Sequence, residues 1–225
     1  RSVSLHRGRA PIDPGPLSLN ASLRGSLAGD TLALERATVA VRREGGAALV
    51  DLELLQALRA DLKQQTFAAA KADAPLARVK LGELPLAWAQ PFTPDLRLEG
   101  ALTAGTITVT ADPTQLALVT TEPLTVRGLG VTSSGRRLVQ GLDTSANFSA
   151  TKRGDDVTCD LRSLTIKQGA TILVSAATQL RARLGGKPNV SGQGRIEADL
   201  GALLQQPAAT DLATLSRGRA TLTFD

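Results

Sequence analysis

The stretches Thr106-Ile107-Thr108-Val109-Thr110 and Gln115-Leu116-Ala117-Leu118-Val119 decide the fold of this chain. Each alternates apolar and polar side chains with period two. A pleated strand turns successive side chains to opposite faces, so this pattern gives one dry face and one wet face. The same alternation recurs in Thr31 to Glu35, Thr38 to Arg42, Asp95 to Glu99, Leu124 to Arg127, Val157 to Leu161, Leu164 to Lys167, Ile172 to Val174 and Leu180 to Leu184. Gly, Asp and Ser clusters lie between them, such as Ser133-Ser134-Gly135, Arg153-Gly154-Asp155-Asp156 and Gly185-Gly186-Lys187-Pro188. Strands at a spacing of roughly ten residues with turn residues between them form antiparallel hairpins in series, not βαβ units. The expected class is all-β, with one or two short helices and a long antiparallel sheet, open or taco-shaped, built of repeated units.

Two segments break the alternation. Leu84-Pro85-Leu86-Ala87-Trp88-Ala89-Gln90-Pro91-Phe92 is bracketed by prolines and apolar on every side, and Asp199 to Pro207 has the same character. Proline at a first turn and proline as a stop predict one or two turns of helix in each. Leu49 to Leu62 fits both a helix face and a strand, and the Gly-rich turn before it favours strand, kink, strand. The breaks also suggest a repeat. Gln90-Pro91 and Gln206-Pro207 lie 206 − 90 = 116 residues apart, each preceded by an Arg-bearing strand and followed by a glycine-initiated one. Leu54-Leu55-Gln56-Ala57-Leu58 is a weaker third copy. A quasi-linear array follows, in which each unit completes the apolar layer of its neighbour. The units are expected at 1–83, at 84–198 (opened by a helical plug) and at 199–225, the start of a next unit. A chain that opens on Arg1-Ser2-Val3 and closes within a strand-like run reads as a segment of a longer protein.

Composition narrows the chemistry. At 225 residues the chain is long enough for a substantial core. It is 42% hydrophobic but only 2% aromatic, with one His, one Cys, one Trp and no Met or Tyr. Its 26 basic and 21 acidic residues give a net charge of +5, scattered one or two per strand. Nucleic-acid binding wants a basic stripe with stacking aromatics, which this pattern does not supply. No run of about 18 apolar residues is present to span a bilayer as a helix. His6 has no nucleophile motif near it, and Cys159 falls on an inward strand position, where a thiol behaves as a small apolar group. Asp51 and Glu53 alternate outward, while Asp155 and Asp156 follow a turn glycine. One His and one Cys leave a zinc site to carboxylates almost alone. Gly192-Gln193-Gly194 lacks the strand–loop–helix context of a phosphate loop and suits a turn or bulge. No enzyme, metal or cofactor is expected.

The dry face needs cover, or it is an interaction surface. From the residues, a closed β-sandwich with that face as core and an open groove both remain. The sandwich would serve as a scaffold or adhesion module acting through protein contacts. Leu84 to Phe92, the following Asp95-Leu96-Arg97-Leu98-Glu99-Gly100, and Glu122-Pro123-Leu124-Thr125-Val126-Arg127-Gly128 resemble the AsmA-like family, the AsmA/TamB type related to bridge-like lipid-transfer proteins. That resemblance implies a taco-shaped or tubular sheet in the periplasm or cell envelope. It would be anchored through a segment absent here, and its apolar side chains would hold phospholipid acyl chains without catalysis. The family's N-terminal membrane anchor has no counterpart in the sequence. The expected lining is Leu96, Leu98, Ile107, Val109, Leu116, Leu118, Val157, Leu161, Ile172 and Val174. Expected partners are lipid acyl chains and envelope membrane proteins, with self-association through unpaired sheet edges.

Overall fold

The computed structural model describes residues 15–44, 46, 48–64, 66–185, 189–209 and 218–225. His6 lies outside the described residues. Among these residues the chain forms one open sheet of fourteen strands. The N-terminal strands are β1 (Leu17–Ala28), β2 (Thr31–Arg43), β3 (Ala48–Leu54), β4 (Leu58–Asp61), β5 (Thr66–Ala69), β6 (Ala77–Leu81) and β7 (Leu84–Pro85). After a 3-10 helix (Leu86–Phe92) come β8 (Leu96–Asp112), β9 (Gln115–Ser133), β10 (Arg136–Arg153), β11 (Asp156–Gln168), β12 (Thr171–Arg183) and β13 (Asn189–Asp199). The helix α1 (Leu200–Leu203) precedes β14 (Arg219–Phe224).

Every pairing is antiparallel, and from β8 to β14 each strand pairs with the next in sequence. The exceptions to simple order lie in the N-terminal part. β2 pairs with β3 along Thr38 to Arg42 and with β4 along Thr31 to Leu34, so β3 and β4 form one broken lane. β6 pairs with β3 and β5 with β4, which makes a second broken lane. Strand, kink, strand is therefore the structure of Leu49 to Leu62. β6 joins β8 and β13 joins β14, so backbone pairing continues across residues 83 and 199.

The sheet does not close on itself, which removes the sandwich architecture. Its strands are also longer than the five-residue runs of the sequence suggest. Asp95 to Glu99 and Thr106 to Thr110 fall almost entirely within one 17-residue strand, β8. Gln115 to Val119 and Leu124 to Arg127 belong to the 19-residue β9. The apparent breaks are bulges. Pro123 sits where the β9–β10 register jumps between the Ala146 and Ser149 pairs, a place where a missing N–H costs no ladder bond. Gly100 (φ +100°) sits at another register shift, and a Cβ there would lie 2.5 Å from the Arg127 carbonyl.

Directly opposed residues of an antiparallel pair share a face. Tracing the register across the sheet therefore sorts every paired residue onto one of two sides. One side is apolar almost throughout, and the other carries Ser, Thr, Arg, Lys, Asp and Glu. Among the described residues few apolar side chains are buried: Ala37, Leu49, Leu76, Ala111, Leu142 and Leu173, of which Leu173 is completely so. A single layer buries little of its dry face unless a second element covers it.

Candidate functional site

The apolar face is organised in rows that run across the strands. One row crosses from Ala111 on β8 through Leu116, Lys152, Val157 and Ala182 to Val190 on β13. The next holds Val109, Leu118, Ala150, Cys159, Leu180 and Gly192. A third runs through Phe148, Leu161, Thr178 and Gly194 to Phe224. Farther along, Ile166, Val174 and Ala198 are in line. Ile107 faces Val79 and Thr120, while Leu98 faces Val131 and Leu96 faces Ser133.

Nine of the ten expected lining residues therefore share one face; Ile172 is the exception. Ile166 opposes Val174, but the next pair is Lys167 with Ile172, which leaves Leu173 as an extra residue at a bulge. The bulge turns Ile172 to the polar face beside Lys167, 51% exposed, and buries Leu173 completely. Ile172-Leu173-Val174 is apolar throughout, so strict alternation from Val174 selects the wrong residue. Cys159 does stand inward, between Ala150 and Leu180. Gly192 and Gly194 lie within β13, not in a turn, and a Cβ on Gly192 would come within 2.5 Å of the Gln179 carbonyl.

The two ends of this face differ. The strand termini near Leu96, Ser133, Arg136, Gln168 and Asp199 lie at one end, and both short helices sit there. The 3-10 helix packs on β8, and the Arg43 guanidinium, which the register puts on the apolar face, stands 5.4 Å from the Trp88 ring centroid. Gln90 Nε2 donates to the Thr93 and Leu96 carbonyls at 3.1 and 2.8 Å. α1 contacts β12, β13 and β14, and Asp199 caps it by accepting from the Ala202 N–H at 3.0 Å. The segment after α1 then crosses to β10 and β11. Gln206 accepts from the Gln140 N–H at 3.1 Å and donates to Gln168 Oε1 at 3.0 Å, and the Ala208 N–H donates to the Leu138 carbonyl. Leu142 and Leu173 are buried at this plugged end. At the opposite, open end Leu116, Leu180, Leu184 and Val190 are 43%, 40%, 60% and 69% exposed.

The polar face holds the carboxylates as structural partners. Asp51 pairs with Arg42 and Glu53 with Arg78, at 3.5 and 3.4 Å. Asp156 pairs with Arg183 at 3.0 Å, which holds that guanidinium's pKa above its ordinary value. The open hollows of this molecule lie mostly on the polar side. One of about 740 Å³ is bordered by Asp156, Thr158, Arg181, Arg183, Asn189 and Ser191. Rows of long solvated side chains produce such shallow gaps, and among the described residues no buried side-chain polar atom is left without a hydrogen-bond partner. Among the described residues no cluster of three or more His, Cys, Asp or Glu could hold a metal ion. No helix among them is long and apolar enough to cross a membrane.

This geometry defines a class: an open, amphipathic antiparallel β-sheet, plugged at one end of its apolar face and, among the described residues, bare at the other. No family model, curated protein or solved structure matches the chain.

Proposed function

We propose that the apolar face shields lipid acyl chains and that the chain is a non-enzymatic lipid-binding or lipid-transfer segment of an AsmA-like protein of the periplasm or cell envelope. The observation that carries the proposal is the open end. Leu116, Leu180 and Val190 stand in adjacent rows of a sheet face that no second layer covers among the described residues. Contiguous apolar surface of more than a few hundred Å² marks an interaction site in a stable protein. An acyl chain suits this surface better than a folded partner, because the face is chemically uniform. It offers methyl and methylene groups row after row and few polar atoms to fix a partner's register. Hydrocarbon needs no such register. The long strands supply length: β9, with 19 residues, runs for about 60 Å at ~3.3 Å per residue.

In this proposal the two helical plugs close one end, while neighbouring strands carry the dry surface onward toward envelope membrane proteins. Among the described residues β1 and β14 each pair on one side only, and both carry the apolar face to the sheet edge, so a further amphipathic strand would extend it. The test is native mass spectrometry with lipid extraction on the purified chain from a bacterial host. Phospholipid bound at defined stoichiometry is expected, and its loss in Ile107→Asp and Val109→Asp. A stable, lipid-free monomer sinks the proposal, as does unchanged lipid content in variants that keep their strand circular dichroism.

A further inference from the structure

We propose that the apolar face selects amphiphiles with a net anionic headgroup, which the Lys152 ammonium meets at the open rim; this rests on the lipid-holding function above. The inference comes from how charge is sorted between the two faces. Every Asp and Glu within the described strands falls on the polar face, from Asp51 and Glu53 on β3 to Glu197 and Asp199 on β13. Among basic strand residues with a cross-strand partner, only Arg43, Arg136 and Lys152 fall on the apolar face. The charge that the register places on that face is therefore positive and stands at its ends.

Lys152 differs from the arginines at the plugged end. Arg43 is already engaged with Trp88. No hydrogen bond or ion pair engages the Lys152 ammonium among the described residues. Its row neighbours are Leu116 and Val157, so the four-carbon stem has apolar surface to lie along while the charge reaches water. A headgroup at that point leaves its acyl chains on the strip between Lys152 and the buried Leu142. That strip is 152 − 142 = 10 residue steps, about 33 Å at ~3.3 Å per residue. One leaflet's hydrocarbon is about 15 Å, half of a ~30 Å core, so the chains end before the plug. No carboxylate on the strip offsets the cation or repels an anionic headgroup. A lysine present only to keep the rim wetted would give no headgroup preference.

The experiment offers the delipidated full chain mixed vesicles of phosphatidylglycerol and phosphatidylcholine and counts each bound lipid by native mass spectrometry. Phosphatidylglycerol is expected to be favoured about two- to fivefold, the scale of one exposed charge pair. Lys152→Glu is expected to abolish the preference while total bound lipid persists, and Lys152→Arg to retain it. Excess inorganic phosphate is expected to leave the preference intact; if it erases the preference, Lys152 marks a phosphate site instead of a lipid rim, and the inference falls. Equal uptake of both lipids by the wild type overturns headgroup selection alone, as does a preference that survives Lys152→Glu. Uptake of neither lipid overturns the lipid-holding function with it.

Discussion

The two ends of the apolar face are made by the same strands with the same alternation, yet one is covered and the other bare. At the plugged end Leu173 is completely buried and Leu142 is 7% exposed; at the open end, on the same β12, Leu180 is 40% exposed. The difference is the plugs: a short 3-10 helix and the segment from Leu200 to Ala208. Residues so alike in type and pattern therefore have different roles. Leu173 belongs to the stability of the fold, whereas Leu180 is exposed surface.

The sharpest way to break that contrast is a matched pair of truncations. Leu173→Ala removes a fully buried side chain and is expected to cost about 2–5 kcal/mol in urea unfolding. Leu180→Ala, already partly in water, is expected to cost under about 1 kcal/mol. Equal losses would mean that both ends are core and that the open end is covered in solution.

A smaller effect tests how the plug is held. Gln206, 6% exposed, joins the Gln140 N–H to the Gln168 side chain. Gln206→Ala is expected to cost about 1–3 kcal/mol, because the Gln140 N–H loses its acceptor under the plug. Hydrogen exchange at Gln140 is expected to accelerate in the same variant. Gln90→Ala leaves behind two carbonyls and no unpaired N–H donor, and is expected to cost about 1 kcal/mol or less. If Gln90→Ala is the more damaging, the 3-10 helix and not α1 holds the plugged end together.

These glutamines also mark how far the sequence can be read. The shared Gln-Pro pairs at Gln90-Pro91 and Gln206-Pro207, and Gln56 within Leu54 to Leu58, are readable in the sequence, and the side chain of each of these glutamines bonds backbone at a break between strands. Gln56 Nε2 donates to the Lys71 and Ala74 carbonyls at 2.9 Å each, and its Oε1 accepts from the Lys71 N–H at 2.7 Å. Alternation was enough for the strands and for putting nine of the ten expected lining residues on one face, because a period of two allows only two faces. It was not enough for Ile172 or for the strand lengths. A bulge shifts the phase by one residue without changing composition, so Pro123 and Gly100 look like turns, and Ile172-Leu173-Val174 offers no polar residue to reveal the shift. The split into plugged and open ends is illegible locally, because Gln206 reaches Gln140 across 66 residues of chain. Lys152 in its apolar row was missed for a similar reason. Its neighbours Leu116 and Val157 are adjacent only through the register, and no window around Thr151-Lys152-Arg153 contains them both.

The smallest expected effect is at the open end, where the contrast predicts that rim residues contribute locally and little. Asp112 closes the turn between β8 and β9 there, accepting from the Thr114 hydroxyl and the Thr114 N–H at 2.7 Å each. The Thr114 hydroxyl, then its N–H, hold the Asp112 carboxyl below its ordinary value of 3.8. A carboxylate whose pKa is depressed by folding adds stability that is complete above the unfolded value and is lost as pH falls through the folded one. The stability gap between wild type and Asp112→Asn is therefore expected to be constant from neutrality down to about pH 5 and to narrow below it. Urea midpoints measured across that range check the sign. Because the carboxyl stands at an open turn and bonds only its own turn residues, the gap is expected to be a small fraction of the Leu173→Ala loss. A large gap, or one that widens in acid, would show that the open rim carries stability as the plugged end does. The contrast between the two ends would then be wrong where it matters most for ligand access.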